Sequence, residues 1–232
     1  YNTADLLLTP TEYSRDLLLK YNLKAPIIPI SNGIDLSQFS KNPDKIKAFR
    51  EYFKLKKNDK VVISVGHYFE RKGLPDFMAV AREFPDVKFI WFGFTPAAAL
   101  TENVKKAIRK KPANVILPGY ISGEIIQGAF ASADLFFFPS YEETEGIVVL
   151  EALAAKCQVL VRNIGVYDSW LIKDKNCLMG ENNDEFIEQI ASYFNREITS
   201  TIEEGYKVAR SRSLEKIGVQ LKDIYENLFR EN

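Results

Sequence analysis

From Lys60 onward, short apolar runs alternate with segments of helical spacing, and this alternation restricts the possible folds more than any other feature of the sequence. Residues 61–65, 87–92, 114–117, 134–138 and 158–161, with a last short run at 177–179, read as strands. Residues 75–83, 101–110, 124–131 and 146–155 between them read as helices. The strands are apolar throughout rather than at every second position, so both of their faces must be covered. Strands of that kind joined through helices of about ten residues build a parallel sheet. The expected fold class is therefore α/β, a doubly wound, Rossmann-like parallel sheet whose ligands bind outside the carboxyl ends of the strands. Further helices are expected at 185–195, 201–210 and 214–230, the last with Ile217, Leu221, Ile224 and Leu228 spaced by three and four.

The chain before Lys60 is less regular. Residues 4–8 read as a strand, and Thr9-Pro10-Thr11-Glu12 reads as a capping box with proline at the first helical position, opening a helix to about Tyr21. Residues 27–30 form another extended run. Ser31-Asn32-Gly33-Ile34-Asp35 is turn chemistry leading into a polar, lysine-rich stretch through Pro43, where a boundary is expected. The resulting division is 1–42, 43–200 and 201–232, with the C-terminal helices long enough to pack back toward the first segment. The chain begins at Tyr1, in what reads as the middle of a fold, so a piece of a longer protein is expected. With 31 basic and 31 acidic residues the net charge is zero, which gives no bulk attraction to nucleic acid or to an anionic bilayer. No apolar run approaches the ~18 residues of a membrane span. Cys157 and Cys177 adjoin apolar segments without metal-ligand spacing and read as reduced core cysteines of a cytosolic protein.

Two stretches carry chemistry. In the first, an apolar strand ends at Pro139-Ser140, an acidic loop with Glu142, Glu143 and Glu145 follows, and Gly146 opens an apolar helix that carries Glu151. The first N–H groups of a helix lack partners and sit at the positive end of its dipole, so this corner can hold an anion while the carboxylates accept hydroxyls. Taken alone, the same glutamates read equally well as solvated loop and cap residues. The second stretch is the loop 66–73, with Gly66, His67, Arg71, Lys72 and Gly73, following strand 61–65. Its glycines allow close backbone approach and its cations suit a diphosphate, although alone it reads as a solvated turn. The fold rule brings both loops, and the turn Gly119-Tyr120-Ile121, to one edge of the sheet.

These features together resemble the donor half of retaining glycosyltransferases of the GT-B fold, the group that includes glycogen synthase and sucrose synthase. The residues that carry the likeness are loop 66–73, Leu117-Pro118-Gly119-Tyr120, Ala133-Asp134-Leu135 running into Pro139-Ser140, and Glu143 with Glu151. The opening segment, from Ala4-Asp5 through Thr9-Pro10 to Ser31-Asn32-Gly33-Ile34-Asp35 and Phe39, is similar to the end of that family's first domain and its linker. Residues 142–151, Phe89-Ile90-Trp91-Phe92-Gly93 and 161–167 with Trp170 resemble bacterial diacylglycerol glucosyltransferases in particular.

That resemblance implies a UDP-hexose donor, UDP-glucose in the first instance, and a lipid hydroxyl as acceptor, reached through an N-terminal domain outside this chain. The full-length protein would then work at the cytoplasmic face of the membrane as a peripheral enzyme. Lys72 would neutralise the donor diphosphate with the N–H groups of Gly146, Ile147 and Val148, and Gly66, His67 and Arg71 would flank it. Glu143 would accept from the donor sugar, Glu151 from the ribose, and the backbone at Tyr120 and Ile121 would meet the uracil. Glu143 and Lys72 are the catalytic candidates. No cofactor or metal is implied beyond the donor, and this chain on its own is expected to bind UDP-sugars and transfer nothing. The sequence departs from the family pattern at His67, where arginine is common, at Thr144, where glycine is usual, and at Lys156 and Gln158. Losing that arginine removes a permanent bidentate phosphate donor, so His67 binds phosphate as a cation, or Arg71 replaces the contact, or His67 simply caps the turn. A transferase that builds capsule or another polysaccharide, or a nucleotide-sugar-binding module without catalysis, stays open beside the glycolipid reading. Trp91, Phe92 and 136–138 are expected in the core, Tyr167 and Trp170 in packing or in the gap toward the acceptor, and 105–111 on a solvated helix face.

Overall fold

In a computed structural model that describes residues 1–230, the chain opens with β1 (Leu7–Thr9), α1 (Glu12–Leu18) and β2 (Ile27–Pro29), a small parallel unit. Thr9 is paired with Pro29 in this strand register and its hydroxyl donates to the Thr11 carbonyl at 3.2 Å, so it caps no helix. Thr11 does so instead, accepting from the Ser14 N–H at 3.2 Å, which moves the helix start two residues beyond the expected capping box. The helix also stops before Tyr21. Leu19 and Tyr21 are both exposed and would add no packing by continuing it.

Helix α2 (Pro43–Tyr52) begins where the polar, lysine-rich stretch ends, in residues for which no element is expected from the sequence. Asn42 caps it by accepting from the Asp44 and Lys45 N–H groups, Pro43 fills its first position, and Phe49 is fully buried. The chain then alternates as expected through β3 (Val61–Val65), α3 (Leu74–Arg82), β4 (Lys88–Phe92), α4 (Glu102–Arg109), β5 (Val115–Gly119), α5 (Glu124–Ser132), β6 (Leu135–Phe138), α6 (Ile147–Ala154), β7 (Val159–Arg162) and β8 (Leu178–Gly180). Helices α7 (Asn183–Phe194), α8 (Ile202–Ser211) and α9 (Leu214–Arg230) complete it.

All neighbours in the large sheet are parallel, in the order β5-β4-β3-β6-β7-β8. This is the doubly wound arrangement, with the strand order reversing between β3 and β6. Alternation along each strand divides the buried side chains between two cores. Ile63, Ile90, Phe136 and Phe138 pack with α6 on one face, and Val62, Phe89, Trp91 and Phe137 pack with Phe77 and Phe186 on the other. Each such fully buried apolar side chain stabilises the fold by roughly 1.5–3 kcal/mol. Both cysteines are buried and free. Among the described residues no helix is long and apolar enough to cross a membrane. The C-terminal helices meet the early chain at Ile34, whose N–H donates to the Arg212 carbonyl at 2.9 Å and whose carbonyl accepts from Leu214 at 3.0 Å.

Candidate active site

The loops leaving β3 and β6 meet at the point where the strand order reverses. The carbonyl of Arg71 accepts from the Tyr141 N–H at 2.7 Å and from the Ser140 hydroxyl at 3.0 Å. Gly73 packs against Pro139, with φ at 77° and so little room that an added Cβ would lie 2.3 Å from the Pro139 carbonyl oxygen. The glycine at this end of the loop therefore serves the contact between loops, whereas the position of Gly66 tolerates a Cβ at ordinary contact distance.

Across that contact the Lys72 ammonium reaches Glu143 Oε1 at 2.5 Å, and the Ser140 hydroxyl donates to the same oxygen at 2.8 Å. Both partners are largely buried, their side chains 14% and 9% exposed, so removing either leaves the other as an uncompensated charge inside the protein. They line a cavity of about 580 Å³ with Arg71, Glu142 and Thr144 and with Tyr13 and Leu17 of α1. Gly146 lies beside them in the left-handed conformation, at φ 81°, and delivers the chain into α6. The N–H groups of Gly146, Ile147 and Val148 donate to nothing among the described residues. They are the free donors of a helix start.

Glu151 stands one turn inside α6, half-buried and without a hydrogen bond or ion pair among the described residues. Burial pushes its carboxyl up to about 7. The Tyr167 hydroxyl, fully buried and also without a partner, abuts Gly146. Burial, reinforced by the Glu143 carboxylate, holds it protonated well above the usual phenol range. Trp170 packs against its ring, so both aromatics belong to the core.

A second, smaller cavity of about 360 Å³ is formed by Val65, Gly66, His67, Phe92, Gly93, Phe94, Tyr120 and Ile121. Its walls are chiefly apolar and aromatic. His67 belongs here rather than to the cavity of Lys72 and Glu143; its Nδ1 lies 2.9 Å from the Phe94 carbonyl, and its ring lies beside Phe69. Arg71 is exposed, with its guanidinium over the Phe69 ring. The structure thus brings Lys72, Glu143 and the α6 start together and groups Gly66 and His67 with Tyr120 and Ile121, while Glu151, one turn into α6, is not among the residues that line either cavity.

Two residues at this edge have no functional role in the sequence reading. Glu145 is buried and bound to Ser31 and Asn32. Arg162 ends β7 inside the protein, where its Nε donates to the Pro139 carbonyl at 3.1 Å, Asp76 lies 3.4 Å from its guanidinium, and the plane stacks on Tyr141 at 3.8 Å. A charged residue closing an otherwise apolar run was the available signal for it. No group of three or more His, Cys, Asp or Glu side chains among the described residues is arranged to hold a metal ion.

Comparison with known proteins adds the following. The chain is 48% identical over 231 residues to the processive diacylglycerol alpha-glucosyltransferase of Acholeplasma laidlawii, covering 99% of this chain and 70% of that protein. It is 28% identical to the alpha-galactosylglucosyldiacylglycerol synthase of Streptococcus pneumoniae, covering 97% of this chain and 62% of that one. The fold superposes on HepE of Anabaena, solved in complex with UDP-glucose, with a TM-score of 0.86 at 18% identity over 97% of this chain and 65% of that chain. Residues 45–208 match the family described as glycosyl transferases, group 1. That match runs over more than half of the sequence and takes in both loops at the strand reversal, so the chain belongs to the group 1 glycosyl transferases.

Proposed function

We propose that this chain is the donor-binding half of a retaining hexosyltransferase that moves glucose from UDP-glucose to a lipid hydroxyl, such as that of diacylglycerol or its monoglucoside. The observation that carries this reading is the Lys72–Glu143 pair set against the free amides of α6. Lys72 and those amides accept the diphosphate, whose charge grows as the sugar departs, so they stabilise the leaving group more in the transition state than in the ground state. Glu143, released in part from Lys72 by the incoming phosphate, accepts from the sugar hydroxyls. The leaving phosphate takes the proton of the acceptor hydroxyl. Glu151 receives the ribose, and the apolar cavity at Tyr120 and Ile121 receives the uracil.

The lipid acceptor is supported by the 48% identity to a diacylglycerol glucosyltransferase, and a UDP-glucose donor by the fold shared with a UDP-glucose complex. Peripheral attachment to the inner membrane face follows from such an acceptor. Calorimetry with UDP-glucose, UDP-galactose, UDP-N-acetylglucosamine and GDP-mannose tests the donor: UDP-glucose binds, GDP-mannose does not, and the constants are unchanged in EDTA. Equal binding of GDP-mannose, or loss of binding in EDTA, would overturn the reading.

A further inference from the structure

Glu145 has no task in the donor reading, yet it is among the most completely held carboxylates of the chain. It is 2% exposed, and it accepts hydrogen bonds from residues 113 and 114 positions away: the Ser31 hydroxyl, the Asn32 backbone N–H at 3.1 Å and the Asn32 side-chain amide at 2.6 Å. Ser31 in turn accepts from the Gly33 N–H at 3.1 Å, so the carboxylate organises the whole turn. Arg212, at the end of α8, lies within electrostatic reach of both Glu145 and Glu12. The neighbouring Thr144 carbonyl is held independently, by the Thr11 hydroxyl at 2.8 Å and the Ser14 hydroxyl at 3.0 Å.

These contacts fall between the two parts of the donor corner. Glu143, two residues earlier, faces Lys72 and Ser140, and Gly146, one residue later, begins α6. A loop fixed at Thr144 and Glu145 leaves little freedom to either neighbour. Glu143 then meets Lys72 in one geometry, and the amides of 146–148 point to one place. We infer that Glu145 is a positioning residue: by clamping Ser31 and Asn32 it holds Glu143 and the start of α6 in place, so the shape of the donor loop depends on the turn at 31–33. The inference rests on the donor reading above for its consequence, but not for the clamp itself.

Glu145→Gln keeps the volume but turns an NH₂ group toward donors, leaving one of them unsatisfied, and Ser31→Ala with Asn32→Ala removes the side-chain donors from the other side. Hydrogen exchange reads the clamp without ligand. The Val149 N–H, which donates to the Gly146 carbonyl at 2.8 Å, exchanges about tenfold faster in both variants, while the amides of β3 and β6 keep their rates. Calorimetry reads the consequence: UDP-glucose binds about tenfold more weakly, whereas uridine, which meets only the Tyr120 and Ile121 cavity and Glu151, binds as before. Unchanged exchange at Val149 overturns the inference. Acceleration throughout the sheet, with uridine and UDP-glucose weakened alike, overturns it in favour of a general structural role. If the unaltered chain binds no UDP-sugar, the donor reading falls, while exchange at Val149 still decides the clamp.

Discussion

The loop 139–146 and the helix it feeds treat their polar groups in opposite ways. In the loop, Glu143 is held by Lys72 and Ser140, Glu145 by Ser31 and Asn32, and the Thr144 carbonyl by Thr11 and Ser14. At the helix, the N–H groups of 146–148, the carboxyl of Glu151 and the hydroxyl of Tyr167 beside Gly146 have no partner among the described residues. Of these, the Tyr167 hydroxyl is fully buried, and a buried polar group is costly to leave unpaired. The loop is shaped by the protein, and the helix start keeps its bonds open. In the proposed function the diphosphate and hydroxyls of the donor complete them.

The comparison breaks most readily at Lys72. Lys72→Ala leaves Glu143 largely buried with only Ser140 beside it, which costs about 3 kcal/mol of stability and weakens UDP-glucose by about a hundredfold. Lys72→Met combined with Glu143→Leu recovers most of the stability, because no charge is left unpaired, but none of the affinity. Thermal melts and calorimetry on the two variants separate these effects. A single variant with unchanged UDP-glucose affinity would remove Lys72 from the donor site.

Glu151 gives the next largest effect, and its sign is fixed by its raised carboxyl. The folded chain holds that proton up to about 7, against 4.5 for an ordinary carboxyl, so its stabilisation is full below about pH 4.5 and is lost as pH rises through about 7. Glu151→Gln abolishes the loss and is more stable than the parent by about 2 kcal/mol at pH 8, after discounting for its residual solvent contact. Ribose hydroxyls donating to the ionised form pull the proton off, so UDP affinity of the parent rises with pH up to about 7. The variant has a flat profile and binds about tenfold more weakly at high pH. Parallel pH profiles would sink the ribose assignment.

The strands were legible because a parallel sheet buried on both faces writes itself as apolar runs: β3 appeared at its full extent, 61–65. Helix α2 was not, although Ile46, Phe49 and Phe53 carry helical spacing, because charged residues stand between them and its apolar face is made for distant partners: Phe92 of β4, and α5, where an added Cβ at Gly128 would strike the Lys45 carbonyl at 2.0 Å. Lys72 and Glu143 could each be singled out from loop chemistry. Their pairing could not, since it depends on β3 lying beside β6 and on the fit of Gly73 against Pro139. Glu145 looked like one more solvated acid, because its partners stand 113 and 114 residues away and no periodicity connects them.

His67 supplies the smallest effect and the finest test of the division between loop and helix. A carbonyl oxygen only accepts, so the Phe94 contact places a proton on Nδ1. Neutral imidazole then has only an acceptor at Nε2, and contact with phosphate requires a second proton. The ring also lines the apolar cavity with Tyr120 and Ile121, apart from Lys72. The Phe94 contact favours a turn cap, and on that reading His67→Gln, which retains a donor for the Phe94 carbonyl, changes UDP affinity by about twofold or less. A phosphate-binding imidazolium makes affinity fall as pH rises, opposite in sign to Glu151, so the two contributions separate in one titration. Superimposable UDP profiles for the parent and His67→Gln between about pH 5.5 and 8 confine the diphosphate to Lys72 and the α6 amides. A parent profile that falls with pH where the variant's does not would return His67 to the diphosphate site.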